Sequence, residues 1–208
     1  MNSSIRVLVV DDHMLMRLGL VEAIVSEPGF ELAGEAENGE EALSLFRANQ
    51  PDVVTMDFRL PGADGAEVIE RLRAEFPEAR VIVLSVFEEE ETIWRAVQAG
   101  AMGYLPKSAR TREVLLAIRQ VYEDKTYFPP AIAAKLAARQ SAPRLSEGEF
   151  EVLREVVAGR TNKEIASKLH VSGSTVKARI QNLLDKLGVA DRTQAAIEAV
   201  RRGLIRIA

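Results

Sequence analysis

Apolar runs and helix-like stretches alternate along the first part of the chain. Five short runs rich in β-branched residues predict β-strands, because such residues pack well on a pleated surface: IRVLVV, FELAGE, PDVVTM, RVIVLS and GYL. The stretches between and after them carry apolar residues three and four positions apart, which predicts helices: MRLGLVEAIVS, GEEALSLFRAN, GAEVIERLRAEF, ETIWRAVQAG and TREVLLAIRQVY. This alternation predicts an α/β fold with a doubly wound, five-stranded parallel sheet, helices on both faces and right-handed crossovers.

The alternation stops near Tyr122, and the remaining chain has a different character. Residues 123–143 contain a Pro-Pro break, an Ala-rich stretch and a further proline, which is typical of a semi-ordered linker with one short helix. Residues 144–208 show only helical periods. The pattern therefore predicts a first domain over residues 1–122, a linker over 123–143 and a small all-α domain over 144–208.

The two predicted domains differ in charge, although the whole chain is only mildly acidic. The 208 residues carry a net charge of −4, whereas residues 143–208 hold 12 Lys and Arg against 8 Asp and Glu. The C-terminal part is thus basic, at +4, and the rest is acidic, at −8. A basic domain suits a polyanionic partner such as nucleic acid, although local imbalances of this size are also common on solvated surfaces.

The chain contains no cysteine and no apolar run of membrane-spanning length. The lack of cysteine excludes disulfides and Cys-ligated metals, and nothing in the sequence requires an oxidising compartment. The longest early apolar run, VLVV, ends at Asp11, far short of a signal peptide or a membrane helix of roughly 20 residues. We therefore expect a cytoplasmic protein without a membrane partner.

Polar side chains collect where the predicted strands end: Asp11, Asp12, Asp57, Ser85 and Lys107. Taken singly, each is typical of a turn, a helix cap or a solvated surface. In parallel sheets, however, this edge binds ligands, and three carboxylates there would repel one another unless a cation joined them. Mg²⁺ suits a few carboxylates together with phosphate oxygens, and the lysine and the hydroxyl can meet a phosphoryl group. The set predicts a phosphoryl-accepting pocket in which Asp57 is the nucleophile and forms an aspartyl-phosphate.

Four segments resemble, in order and spacing, the receiver domain of bacterial two-component response regulators: VLVVDDH, VVTMDFRLPGADG, VIVLS and AGAMGYLPKS. The resemblance extends from residue 5 to about residue 122 and implies a flavodoxin-like fold. It implies that Asp57 accepts phosphate from a cognate sensor histidine kinase. It also implies that Asp12, Asp57 and the Arg59 carbonyl bind Mg²⁺, with Asp11 supporting the metal through water.

The same resemblance implies a switch beside the phosphate. Ser85 and Lys107 would sense the phosphoryl group, and the ring of Tyr104 would move with Ser85; otherwise that ring is an ordinary amphipathic aromatic at a sheet edge. Three positions depart from the usual pattern: Met14, Val86 and Pro106. Val86 could narrow access to the phosphoryl site, and Pro106 removes a backbone donor next to Lys107, whereas the change at Met14 is minor.

A second motif, RTNKEIASKLHVSGSTVKARIQNLLDKLGV, predicts two helices joined by a short turn. They extend from about Asn162 to Leu169 and from about Ser174 to Leu187. The second helix has an apolar face and an opposite face that includes Ala178 and Gln181, with Lys177 and Arg179 flanking it. In the major groove, Lys can address guanine, Gln adenine and Ala a thymine methyl group. Without its context the helix would be interpreted as an ordinary amphipathic helix with solvated charges.

Residues 145–205 resemble the LuxR-type helix-turn-helix output domain, and its combination with a receiver is specific for the NarL/FixJ class of transcription regulators. The resemblance implies base contacts from Lys177, Ala178 and Gln181. It further implies contacts to the DNA backbone from Asn162, Lys163, Thr175 and Arg179. Small residues on the last helix would form a dimer contact: Ala195, Ala196 and Ala199. The small residues could instead simply pack against their own domain. Gly148 and Phe150 stand where relatives often carry basic residues, so a backbone contact is missing there.

These observations favour a response regulator transcription factor rather than an enzyme. We expect it to be phosphorylated on Asp57 with Mg²⁺ as cofactor and to form a homodimer on activation. We expect the homodimer to bind double-stranded promoter DNA. One alternative is a haloacid-dehalogenase-like phosphatase, but that family needs an acid where Arg59 stands. Another is a DNA-binding protein that does not depend on phosphate and uses its receiver only to dimerise.

Overall fold

The computed structural model describes residues 4–141, 145–202 and 204–205. The chain divides into two compact units, with the boundary between Ala137 and Ala138. Within the described residues, the first unit contains two hydrophobic clusters and the second unit contains one. Each unit is described below by itself.

The N-terminal unit alternates strands and helices in the predicted order. Its strands are β1 (Ile5–Val10), β2 (Phe30–Ala36), β3 (Val53–Asp57), β4 (Arg59–Leu60), β5 (Ala63–Asp64), β6 (Val81–Ser85) and β7 (Gly103–Pro106). Its helices are α1 (Met14–Ser26), α2 (Gly39–Asn49), α3 (Gly65–Glu75), α4 (Glu90–Ala99), α5 (Thr111–Tyr122) and α6 (Pro130–Ser141), the last of which crosses the unit boundary. The main sheet is parallel, with strand order β2-β1-β3-β6-β7, so the predicted five-stranded fold is confirmed.

The sheet is covered on both faces because its strands alternate side chains between two clusters. On β1, Leu8 and Val10 belong to the cluster formed with α2, α3 and α4, whereas Val7 and Val9 belong to the cluster formed with α1 and α5. All five residues of β3 are buried, as a central strand of a doubly covered sheet requires. This burial explains why the third predicted strand is an almost continuous apolar run that ends in a carboxylate.

The segment after α5 contains the predicted short helix, and part of it packs on the N-terminal unit. Tyr127 forms a bridge to Gly103 at the edge of β7, where the Tyr127 amide donates to the Met102 carbonyl at 2.9 Å. In α6, Ile132 and Leu136 are buried in the same cluster as α4. The N-terminal unit therefore continues to Ala137, beyond the predicted boundary at residue 122, and the boundary predicted at residues 143 and 144 lies outside the described residues.

The C-terminal unit is helical over its described residues. Its helices are α7 (Glu147–Val157), α8 (Asn162–Lys168), α9 (Gly173–Leu187) and α10 (Arg192–Arg201). Capping boxes begin α7 and α8: the side chains of Ser146 and Thr161 accept from the backbone three residues later, and a glutamate reaches back to each cap. Gly188 ends α9 with a left-handed φ of 69°, a conformation that costs glycine little. These local signals fix the helix bounds that place the predicted DNA-binding residues.

Candidate functional site

The strand order brings the predicted pocket residues to one edge of the sheet. Asp57 is the last residue of β3 and Ser85 is the last residue of β6. Asp11 directly follows β1, which lies beside β3, and Lys107 directly follows β7, which lies beside β6. Because all these strands are parallel, their carboxyl ends meet at the same edge.

Lys107 links two buried carboxylates at this edge. Its Nζ lies 2.7 Å from Asp57 Oδ2 and 2.8 Å from Asp11 Oδ2. Only 3% of Asp11 and 4% of Asp57 is exposed, so neither charge is well hydrated. Burial alone would lower the pKa of Lys107, but hydrogen bonds to Asp11 and Asp57 outweigh it and raise the pKa above the usual value. The lysine is therefore held as a cation between the two acids.

The donor set of the pocket fits a hard divalent cation. Carboxylate oxygens of Asp11, Asp12 and Asp57, together with a ring nitrogen of His13, all lie within 4.8 Å of one another. Oxygen donors at this spacing suit Mg²⁺, which takes one or two carboxylates and keeps water and phosphate ligands besides. The Arg59 amide donates to Asp57 Oδ1 at 3.2 Å, which fixes the loop that would present the Arg59 carbonyl.

Two of the predicted switch residues, Ser85 and Tyr104, are connected through Phe87, which sequence reasoning missed. Ser85 is fully buried, and its Oγ accepts a hydrogen bond from the Phe87 amide at 3.0 Å. The Tyr104 hydroxyl donates to the Phe87 carbonyl, and burial raises the pKa of that hydroxyl to about 12. The Arg59 guanidinium lies 3.7 Å from the centre of the Phe87 ring, a cation–π contact. Phe87 thus contacts Ser85, Tyr104 and Arg59, the last of which lies in the loop after Asp57.

The departures from the usual receiver pattern have small structural effects. Val86 is 67% exposed, and the prediction that it narrows access to the phosphoryl site stays a prediction. Pro106 ends β7 without disturbing the pairing there, since the Lys107 amide still donates to the Ser85 carbonyl at 2.8 Å. Met14 is exposed at the first position of α1.

In the C-terminal unit, α8 and α9 form the predicted pair of helices. Val176, Leu183 and Leu187 face the core, where they join the buried residues of α7 and α8. Lys177, Ala178 and Gln181 are exposed on the opposite side of α9. Both faces therefore lie as the periodicity of the sequence predicts.

The residues predicted to contact the DNA backbone differ in how accessible they are: Asn162, Lys163, Thr175 and Arg179. Lys163 is exposed, and the other three are partly buried. Arg179 Nη1 donates to the Gly148 carbonyl at 3.4 Å, and a Cβ atom built at Gly148 would lie 2.6 Å from Arg179 Cζ. The guanidinium thus lies where a side chain at position 148 would have been, so Arg179 places a positive charge at a position that lacks a basic residue of its own.

Comparisons with known proteins agree with both halves of this description. The model of the response regulator receiver domain matches residues 7–119, and the model of the bacterial regulatory proteins of the luxR family matches residues 143–199. The chain is 38% identical to a probable transcriptional regulatory protein NarL of Mycobacterium tuberculosis, over 97% of this chain and 96% of that protein. The chain belongs to the NarL/FixJ-type response regulators.

Further relatives support the same assignment. The transcriptional regulatory protein LiaR of Bacillus subtilis is 36% identical to this response regulator, over 97% of this chain and 99% of that protein. The crystal structure of the response regulator ChrA, from a heme-sensing two-component system, is 35% identical with a TM-score of 0.56. The match covers 98% of this chain and 100% of the ChrA chain.

Membership of this family makes the response regulator a transcription regulator with a LuxR-type DNA-binding domain and not an enzyme. The phosphatase hypothesis is therefore set aside. Among the described residues, no helix is both long and apolar enough to span a membrane.

The three small residues predicted for the dimer contact differ in exposure on α10. Ala195 and Ala199 are fully buried in the core of their own unit, and Ala196 is partly buried. On the same helix Ile197 is 62% exposed and Val200 is 38% exposed. Ala195 and Ala199 thus pack within their own unit, as the alternative interpretation of the sequence expected, while the dimer contact of α10 stays a prediction.

Proposed function

We propose that this response regulator is phosphorylated on Asp57 by a sensor histidine kinase and that the phosphate controls promoter binding by α9 as a homodimer. The observation that carries the proposal is the convergence of Asp57, Asp11 and Lys107 at one edge of the sheet. The Lys107 ammonium lies within 2.8 Å of a carboxylate oxygen of each aspartate. A nucleophilic carboxylate beside a fixed cation and further acids is the arrangement that phosphoryl transfer to an aspartate needs.

In the proposed reaction an oxygen of Asp57 attacks the phosphorus of a phosphohistidine. The P–N bond breaks, the imidazole leaves with the electron pair and takes up a proton, and an acyl phosphate forms. Asp12, Asp57 and the Arg59 carbonyl would hold Mg²⁺, which supplies positive charge for the phosphoryl oxygens when bound. Lys107, already hydrogen-bonded to Asp57, is placed to pair with a phosphoryl oxygen once that carboxylate has become an acyl phosphate.

The new phosphoryl group would act on the switch through Ser85. Its Oγ accepts from the Phe87 amide in this structure, and the Phe87 carbonyl accepts from Tyr104. If Ser85 turns to donate to a phosphoryl oxygen, its contact with Phe87 changes, and the contact of Phe87 with Tyr104 changes with it. The phosphate thereby biases a two-state element through added charge and acceptor oxygens.

The proposal is tested by intact mass after incubation with acetyl phosphate, a small phosphoryl donor. The parent protein should gain one phosphoryl group with Mg²⁺ and none with a chelator, and Asp57→Asn should gain none. Asp124→Asn is the matched control, because Asp124 is a remote acid with a φ of 60°, a conformation that asparagine tolerates. Undiminished phosphorylation of Asp57→Asn would show that another residue is the acceptor.

A further inference from the structure

We infer that His13 is an additional ligand of the divalent-cation site and shifts its preference from Mg²⁺ toward transition-metal ions such as Mn²⁺ and Co²⁺. The inference rests on the proposed function, since it assumes that the acidic pocket holds a divalent cation. Neither the phosphoryl chemistry nor the switch described above uses His13.

His13 lies directly before α1, at the N-cap position, but its side chain makes no capping hydrogen bond. The ring turns instead to the carboxylates of the pocket. Its Nδ1 lies 2.8 Å from Asp12 Oδ1, 3.4 Å from Asp11 Oδ1 and 3.8 Å from Asp57 Oδ2. The ring is thus directed at the acids that form the predicted metal site, and 69% of the side chain is exposed.

These separations match the geometry of ligands that share one ion. Two ligands of the same ion are at most twice the metal–ligand distance apart, about 4.2 Å when that distance is about 2.1 Å. All three distances from His13 Nδ1 to the carboxylate oxygens fall below this limit. A single ion can therefore contact the imidazole and the carboxylates with only small adjustments of the side chains.

The ammonium of Lys107 also lies beside the ring of His13. Lys107 Nζ lies 3.5 Å from His13 Nδ1 while it also contacts Asp11 and Asp57. The same nitrogen lies 2.8 Å from Asp12 Oδ1, so a proton lies on it in one tautomer, and that proton must leave before the nitrogen can bind a metal ion. The imidazole nitrogen already borders the position of a positive charge in the pocket.

The type of ligand atom determines which ion the site binds more tightly. Carboxylate, carbonyl and water oxygens suit Mg²⁺, whereas imidazole suits transition metals, and affinity for nitrogen ligands rises from Mn²⁺ to Co²⁺. A histidine added to an oxygen site therefore strengthens Co²⁺ binding strongly, Mn²⁺ binding less and Mg²⁺ binding little. The position of His13 thus predicts a site that discriminates between divalent cations.

The test compares Mg²⁺ and Co²⁺ dissociation constants of the full chain by calorimetry at one fixed pH, for the parent and His13→Ala. Outer-shell partners of metal ligands contribute about 10–100-fold to affinity, so loss of a direct ligand should weaken Co²⁺ binding by at least about tenfold. Mg²⁺ binding should stay nearly unchanged. The visible absorption of bound Co²⁺ should also shift in the variant, because a nitrogen ligand has been lost.

His170→Asn is the matched control, since the chain has only two histidines. His170 is exposed in the C-terminal unit and has a φ of 53°, which asparagine tolerates, so neither affinity should change. Equal weakening of Mg²⁺ and Co²⁺ by His13→Ala, or no weakening of either, would overturn the role of His13 while leaving the proposed metal site intact. A parent protein that binds neither ion would instead refute the metal site of the proposed function.

Discussion

Lys107 is the residue on which the charge balance of the pocket depends. It is the ammonium partner of both Asp11 and Asp57, whose side chains are each only 5% exposed. Removing one partner of a buried ion pair leaves uncompensated charge, which costs far more than the pair itself contributes. Lys107 therefore stabilises the pocket when no metal is bound.

Lys107→Ala should lower the free energy of unfolding of the N-terminal unit by about 3–5 kcal/mol in metal-free buffer. Mg²⁺ should restore part of the loss, because a cation that binds only the folded state stabilises it. The measurement is urea unfolding followed by tryptophan fluorescence, since the single tryptophan, Trp94, lies in α4 and reports on this unit.

The control for this prediction is Lys125→Ala. Lys125 forms an exposed ion pair with Glu123, and exposed pairs contribute only about 0–1 kcal/mol. This variant should unfold nearly like the parent with or without Mg²⁺. If Lys107→Ala behaves in the same way, the two carboxylates are hydrated or paired by other means, and Lys107 has no balancing role.

Among the single residues of the site, sequence reasoning could identify those whose position in the chain reveals their role. Asp57 and Ser85 end buried strands, so the strand pattern alone places them at the ligand-binding edge. Phe87 and His13 lie in loops, and their roles depend on contacts with Arg59 and the carboxylates that no periodicity encodes. Side-chain contacts between loops follow from the three-dimensional fold and not from spacing.

At the scale of elements, the largest difference between sequence and structure is α6. Its Ala-rich composition and the Pro-Pro step before it are typical of a linker, and neither indicates a core helix. Ile132 and Leu136 are nevertheless buried against the cluster of α4 and β7. Two apolar residues four positions apart are too few to distinguish a docked helix from an exposed one, so this packing could not be predicted.

Ile132→Ala should destabilise the N-terminal unit by about 2–5 kcal/mol, because it removes a core side chain and leaves a cavity. Ile132 is 1% exposed, whereas Val25 on α1 is 62% exposed. Val25→Ala is the control, and we expect it to change the unfolding free energy by less than about 0.5 kcal/mol. Trp94 fluorescence during urea unfolding again provides the measurement.

A linker would give a different result. If residues 123–137 were only a connection, Ile132→Ala would lie within the small range expected of Val25→Ala. A large loss in Ile132→Ala alone would show that α6 is an integral part of the receiver. Any event that displaced α6 from the receiver would then have to overcome the burial of Ile132 and Leu136.

On the scale of the whole molecule, charge separates the two units of the response regulator. The C-terminal unit, residues 138–208, carries a net charge of +5, and the N-terminal unit carries −9. A basic surface attracts the DNA backbone and an acidic one is repelled by it. We therefore expect the C-terminal unit to supply the binding energy toward DNA, and the exposed face of α9 to supply the specificity.

The last prediction concerns how two copies read one promoter. In a two-fold dimer the two α9 helices should contact half-sites about 10 base pairs apart, one turn of the duplex. Gln181→Ala should weaken binding to such a site by about 1–3 kcal/mol and leave binding to a scrambled duplex nearly unchanged. Gln181 donates to Asp185 Oδ1 at 3.0 Å in the free protein, so it must exchange this contact for a base.

Lys163→Ala provides the contrasting result. Lys163 is exposed at the start of α8, and a phosphate contact there should contribute equally on every sequence. Its loss should weaken both duplexes alike and reduce the salt dependence, because fewer counterions are released. Titrations of each variant against both duplexes at several salt concentrations distinguish the two effects.

The same titrations, repeated after acetyl phosphate treatment, test the link between the two units. Phosphorylated protein should bind the paired half-sites more tightly than untreated protein, and adding about five base pairs between the half-sites should remove that gain, because it places them on opposite faces of the duplex. Equal losses on both duplexes for Gln181→Ala would remove this residue from the base-reading set. Phosphorylation without any gain in binding would mean that the receiver acts only as a dimerisation module and that Asp57 does not control DNA binding.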